Sequence, residues 1–309
     1  MNYRNFTEQI KKEIVKRLGD DFSVHLHQET KNNGEKRTGL LIGTQETNIF
    51  PIIYLEEYYE AYKNGKKIEE IVEELQQLFF TIRKRESWNS RKLLNYKNVK
   101  DQIGIRLINT DRNQEILKKL PHIKFWDLSA VFYVLLGVSE EGTASMVIAN
   151  QHMNQWGIKV NTLWEDALKN SSQYLRPEFS TMSYALKNAI SYPANPQGKY
   201  TENIFESCEL EKDRHGMYVL SNQIRNYGAS CIIYPSIAER IGRILETDYY
   251  IIPSSVHELI IIPAEGSEIC PDEINEMIQN VNRDMVSREE VLSEHCYKYL
   301  RGDNKIIIP

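Results

Sequence analysis

At 309 residues, with 41% hydrophobic and 26% charged side chains, the chain is long enough for one large core or two to three small ones, and its composition excludes a disordered protein. The 38 basic side chains stand against 43 acidic ones, a formal charge of −5, which excludes phosphate-backbone binding as the business of the whole surface and leaves room only for a local basic patch. No stretch approaches the roughly 18 consecutive apolar residues that a bilayer span needs, and no C-terminal lipidation motif is present, so no membrane partner is expected.

The opening "MNYRNFTEQIKKEIVKRLGDDF" places Phe6, Ile10, Ile14, Val15 and Leu18 at helical spacing between charges and lacks the apolar core of a signal peptide. It reads as a first amphipathic helix of a cytoplasmic protein. "FSVHLHQET" and "TGLLIGT" form a hairpin around "KNNGEK", and "IFPIIYL" supplies a third strand. A long helix follows, with Ile68, Ile71, Val72, Leu75, Leu78, Phe79 and Ile82 in the 3.6-residue period.

A second stretch runs from the strand "QIGIRLINT" through the short helix "DRNQEILKKL" to two strands, "IKFWDLSAVFYVLLG" and "TASMVIANQ", and then to a helix opened by Thr162 and Glu165 at capping-box spacing. The third begins with the strand "GMYVLSN" and the helix "PSIAERIGRIL". It continues with two strands in "IIPSSVHELIIIPAEG" and a helix in "PDEINEMIQNVN", where Pro271 suits the first turn and Ile274, Met277, Ile278 and Val281 are in phase. Ser287 and Glu290 form a second capping box for a helix through Tyr299, and the tail "NKIIIP" reads as a last strand.

The expected fold is therefore α+β, mainly antiparallel sheets with packed helices, in two or three tandem strand-helix-strand-strand-helix units. Two connectors divide it: the basic segment 83–101, and 191–216, which opens with two prolines and a glycine. The expected domains are 1–95 (helix, three strands, long helix), 96–192 and 193–309.

Five segments carry a resemblance: "RLINTDRNQEIL", "LPHIKFWDLSAVFYVLL", "ASMVIANQHMNQWGI", "MYVLSNQIRNYGASCIIYP" and "YYIIPSSVHELIIIPA". In this order they resemble the bacterial domain-of-unknown-function family DUF5688 over nearly the whole chain, with a fainter likeness to DUF1444 in the last unit. The resemblance implies a bacterial cytoplasmic setting. It carries no activity, cofactor or catalytic residue with it.

The common phosphate-loop, dinucleotide, zinc-helix and nucleophile-elbow patterns are all missing, so no cofactor is expected. Cys208, Cys231, Cys270 and Cys296 are widely spaced and read as free thiols rather than a zinc site. Two imidazoles, His25 and His27, share one face of a strand with Glu29 and could bind a divalent metal, but with no further ligand identified the face reads as solvated, and no metal is expected.

The knot Ser254, Ser255, His257 and Glu258, with Asp248 nearby, has the residue types of acyl transfer: a hydroxyl, an imidazole and a carboxylate. Turn chemistry competes with that reading, because Pro253 followed by two serines is ordinary turn sequence. Asn150, Gln151, His152 and Asn154 follow one apolar strand, and Asn222 and Asn226 follow another. These are candidate binding residues, and they also suit the local side chain to backbone bonds of turns. The segment from Arg83 to Lys100 holds seven basic residues against one acid, with Trp88 and Tyr96 interleaved, which makes Arg83, Lys84, Arg85, Arg91 and Lys92 the nucleic-acid candidates.

Taken together, missing catalytic patterns, antiparallel strands with available edges and 18 tyrosines read first as a non-catalytic protein that binds another protein. A hydrolase or transferase built around Ser254, Ser255 and His257 is the second reading. Nucleic-acid binding through the basic connector is the third.

Overall fold

A computed structural model describes residues 1–43, 52–85, 93–139, 142–191, 203–206, 216–264 and 270–309. They fall into two compact units, Met1–Asn95 and Tyr96–Pro309.

In the first unit α1 (Tyr3–Leu18) starts where the Asn2 side chain accepts from the Asn5 amide at 2.9 Å and ends at Gly19, whose φ of 74° favours glycine. Phe6, Ile10 and Ile14 are its buried ridge, each contributing about 1.5–3 kcal/mol by leaving water. β1 (Ser23–Thr30) and β2 (Lys36–Gly43) pair antiparallel, and β3 (Ile52–Tyr54) adds to β2. α2 (Glu56–Lys63) and α3 (Ile68–Arg85) follow, and α3 sends Ile71, Val72, Leu75 and Phe79 into the same core. The Glu56 carboxylate, at the start of α2, accepts from the Tyr3 hydroxyl and the Thr38 amide, each at 2.6 Å, and from Arg37 at 3.2 Å. α2 was not expected from sequence: its apolar face is made of tyrosines, and none of its residues is fully buried.

The second unit contains α4 (Tyr96–Val99), β4 (Ile103–Asn109), α5 (Gln114–Leu117), β5 (His122–Phe125), β6 (Leu128–Ser139) and β7 (Gly142–Val147). It continues with α6 (Asn150–Trp156), α7 (Val160–Tyr174), β8 (Pro177–Thr181), α8 (Met182–Ser191), β9 (Tyr218–Asn222), α9 (Ile237–Leu245), β10 (Tyr249–Pro253), β11 (Leu259–Pro263), α10 (Pro271–Asp284), β12 (Tyr297–Leu300) and β13 (Lys305–Ile307). β6 is the hub of a four-stranded antiparallel sheet, pairing with β4, β5 and β7. The second sheet is antiparallel in the order β13-β12-β10-β11-β9-β8. Every residue of β9 and β10 is buried, the pattern of strands covered on both faces.

The α+β class and the antiparallel sheets stand as read from sequence; several elements differ. "IKFWDLSAVFYVLLG" is not one strand but the hairpin β5–β6, which turns at Trp126 (φ 53°) and Asp127 and opposes Phe125 to Leu128. No glycine, proline or asparagine marks that turn. The helix placed at 287–299 is absent: the Glu290 amide closes a turn onto the Ser287 carbonyl at 2.8 Å, and Tyr297 and Tyr299 alternate buried with Lys298 and Leu300, a strand period. The Thr162 capping box also fails, because α7 has already begun at Val160. Residues 96–309 form one unit where the sequence suggested two, since β8 lies before residue 192 and pairs along its length with β9 beyond it.

Candidate functional site

Pro253 opposes Leu259, so β10 and β11 are joined by the five residues 254–258. The Ser255 amide donates to the Glu258 carbonyl at 3.3 Å, the Ser255 hydroxyl accepts from the His257 amide at 3.0 Å, and the Ser254 hydroxyl donates to the Glu258 carboxylate at 3.4 Å. Both hydroxyls therefore serve the turn, and neither is hydrogen-bonded to the His257 ring. That ring stacks on Tyr227 with centroids 5.6 Å apart and an interplanar angle of 17°. Its Nδ1 accepts from the Tyr227 amide at 3.2 Å, and its Nε2 lies 3.6 Å from the Glu290 carboxylate. A nitrogen that accepts from an N–H carries no proton, so His257 has its ring proton on Nε2. Asp248 is at the opposite end of β10, where its carboxylate accepts from the Arg301 amide at 2.9 Å beside an open concavity of about 630 Å³.

Asn222 and Asn226 meet the His257 turn at one corner. The Asn222 side chain closes its own loop, accepting from the Asn226 amide at 3.2 Å and donating to the Asn226 carbonyl at 2.8 Å. Ser221 donates to the His257 carbonyl at 2.8 Å, and Gly228 sits so close that a Cβ there would meet that carbonyl at 2.5 Å and the Asn222 amide nitrogen at 2.7 Å. Arg106 reaches the corner from β4: its Nη1 donates to the Tyr227 hydroxyl at 3.3 Å, and the guanidinium stands 5.3 Å from the Tyr227 ring centroid. Tyr133, from β6, packs on Tyr227 at 5.4 Å. Sequence reasoning missed Arg106, Tyr133, Tyr227 and Glu290, although Arg106, the lone charge in the apolar strand "IGIRLIN", was a visible signal.

A second centre drew no attention in the sequence. The Asp127 carboxylate, in the β5–β6 turn, accepts from the Tyr297 hydroxyl at 2.6 Å, the Ser293 hydroxyl at 3.0 Å and the Asn109 amide at 3.4 Å, with His295 Nε2 at 3.2 Å. Burial alone would raise the Asp127 pKa, but the bonds from His295, Tyr297 and Ser293 outweigh it and hold the carboxyl below its ordinary value. The other ring nitrogen of His295, Nδ1, is 3.2 Å from the Cys296 carbonyl. Both nitrogens face acceptors, and the bond to Asp127, outweighing burial, raises the pKa of the ring.

The remaining candidates lie elsewhere. Asn150 starts α6 rather than ending a strand, with its side chain donating to the Lys118 carbonyl at 3.1 Å and its amide to the Lys119 carbonyl at 2.9 Å. His152 accepts from the Ala149 amide at 3.0 Å and stacks on Trp156, and burial lowers its pKa. Gln151 and Asn154 are exposed. Arg83, Lys84 and Arg85 end α3, whereas Arg91, Lys92, Trp88 and Cys208 lie outside the described residues; Tyr96 donates to Asp166 at 2.6 Å and packs on Trp156. Among the described residues Cys231, Cys270 and Cys296 are free, and no group of three potential metal ligands forms. None of the described helices is long and apolar enough to cross a membrane.

A family model described as a family of unknown function, DUF5688, matches residues 3–301. The chain belongs to this family. No curated protein and no solved structure matches it. One further surface of this DUF5688 chain stands out, on α10. That helix buries Ile274, Ile278 and Asn282, whereas Met277 and Val281, which the sequence put in phase with the core, are 49% and 44% exposed. Met285, at the C-terminal cap, is 83% exposed, so the three make an apolar line at four-residue spacing. Exposed Glu276, Asn280 and Asp284 run along one side of it, and exposed Glu273 continues it toward the N-terminus.

Proposed function

We propose that this DUF5688 protein is a bacterial cytoplasmic protein that binds another protein, and that the line Met277, Val281 and Met285 on α10 is where it does so. The observation that carries the reading is the outward placement of three large apolar side chains on a helix that already has a buried ridge of its own. Unbranched methionines adapt to varied partner surfaces and keep an apolar face open to re-packing. Arg283 pairs with Asp284, so Glu273 and Glu276 are the acids left toward the N-terminal end of the line, and they suit a partner helix that brings a lysine or arginine there, because opposite charges at a rim favour encounter and register.

The test is a photo-crosslinking side chain at position 281, with one at exposed Thr162 as control, in cells of the source bacterium. The expected result is an adduct to one protein species from position 281 alone, lost when Met277 and Met285 are both changed to Asp. Identical adducts from both positions, or none from either, contradict the reading. The Asp substitutions lie on an exposed face and should shift stability by less than about 0.5 kcal/mol, so loss of the adduct reports the surface and not the fold.

A further inference from the structure

Arg106 is the most unusual charge in the second unit. It stands in β4 between buried Ile105 and Leu107, and among the described residues no carboxylate pairs with it. Its Nη1 is engaged by the Tyr227 hydroxyl, but its Nε is buried with no hydrogen-bond partner. The Nε and Nη2 side of a guanidinium is the edge that grips two oxygens of one carboxylate or phosphate in parallel. Of that edge, Nε is the buried donor left without a partner.

A second unpartnered donor stands beside it. Tyr133 is only 1% exposed, and its buried hydroxyl has no partner. Register places Tyr133 opposite Gly104, and a Cβ on Gly104 would meet the Tyr133 ring at 2.5 Å and its hydroxyl at 2.7 Å. The hydroxyl thus ends over Gly104, two residues from Arg106 and on the same face of the strand. A glycine at 104 is what lets the phenol lie down toward the arginine. Burying a guanidinium N–H and a hydroxyl without partners costs about 1–3 kcal/mol each, and an oxyanion would satisfy both at once. The Tyr227 ring stands beside the guanidinium, and the His257 ring stacks on Tyr227.

We propose that Arg106 and Tyr133 form a binding site for an oxyanion, a carboxylate or phosphate group of a small molecule, with the Nε and Nη2 edge of Arg106 and the Tyr133 hydroxyl as donors. This site is separate from the α10 surface and stands or falls without it.

The experiment is a thermal-unfolding titration of the full chain with sodium acetate and, separately, inorganic phosphate, each against sodium chloride at matched ionic strength. At least one anion should give a saturable rise in Tm of about 5 °C, and which one does identifies the oxyanion class. Arg106→Met should abolish the response, and Tyr133→Phe should weaken its apparent affinity roughly ten-fold, the worth of one hydrogen bond to a charged group. Tyr133→Phe removes a single oxygen and keeps the packing, so it decides the matter even where Arg106→Met does not fold. No saturable response to either anion, or an unchanged response in Tyr133→Phe, overturns the proposal and leaves an internal water as the partner of these groups.

Discussion

His257 and His295 stand at the same end of one sheet, just past β10 and just before its neighbour β12, yet their ring nitrogens face opposite kinds of partner. His257 has a backbone N–H aimed at Nδ1, which keeps that nitrogen unprotonated. His295 has a carboxylate and a carbonyl at its two nitrogens, both acceptors, and its pKa is raised. The difference teaches that residue type alone does not identify a catalytic base; what faces each ring nitrogen decides. Neither ring is poised on a serine, because the Ser254 and Ser255 hydroxyls are bonded within their own turn, and Ser293 serves Asp127.

The sharpest way to break the comparison is Asp127→Ala. It removes the shared acceptor of the buried Tyr297 hydroxyl, the Ser293 hydroxyl and the His295 ring, so a loss of about 3–5 kcal/mol is expected in urea unfolding. A loss below about 1 kcal/mol would mean that the cluster is incidental. At the other corner, Gly228→Ala forces a methyl group against the His257 carbonyl and the Asn222 amide, and about 3 kcal/mol of destabilisation is expected from overpacking. Wild-type stability at that position would show that the corner is not close-packed.

The protonation states give a third contrast, visible in stability against pH. The folded-state pKa of His295 is raised, so its contribution is complete below the unfolded value of about 6.5 and is lost as pH rises through the folded value. The Asp127 pKa is lowered, so its contribution is present above the unfolded value of about 3.9 and is lost as pH falls through the folded value. His295→Gln should therefore cost about 1–3 kcal/mol near pH 6 and progressively less toward pH 9. A cost that does not change with pH contradicts the raised pKa of His295. His152 has the reverse sign: its pKa is lowered by burial, so its contribution is lost as pH falls below about 6.5, and His152→Gln should flatten that acid-side decline by under 1 kcal/mol. The smallest effect belongs to Ser254→Ala, whose 3.4 Å bond to Glu258 is long and partly exposed. A change within about 0.5 kcal/mol is expected, and a loss above 1 kcal/mol would reopen the role of that hydroxyl.

How much of this was legible depended on how local its cause is. α1, the β1–β2 hairpin, α3 and the start of α10 at Pro271 follow from periodicity and turn residues, and the sequence placed them within a few residues. The β5–β6 turn did not show, because Trp126 takes a left-handed conformation with no glycine to advertise it. Its position is held instead by the Trp126 indole on the Ile306 carbonyl at 3.1 Å and by Asp127 on β12. For the same reason the Asp127 centre was invisible: its partners Asp127 and Tyr297 are 170 residues apart in sequence. The His257 corner was half visible. Asn222, Asn226 and His257 lie in polar knots that drew attention, whereas Arg106 and Tyr133 arrive from another sheet, through a packing that no spacing rule reports.

The central claim, that opposite partners face the two rings and that those of His295 raise its pKa, is tested most directly by following the long-range ¹H–¹⁵N NMR signals of the imidazole rings across the neutral pH range, with His257→Gln and His295→Gln samples to assign them. His295 is expected to titrate above the unperturbed histidine value of about 6.5. A His295 ring that titrates at or below that value would contradict the account.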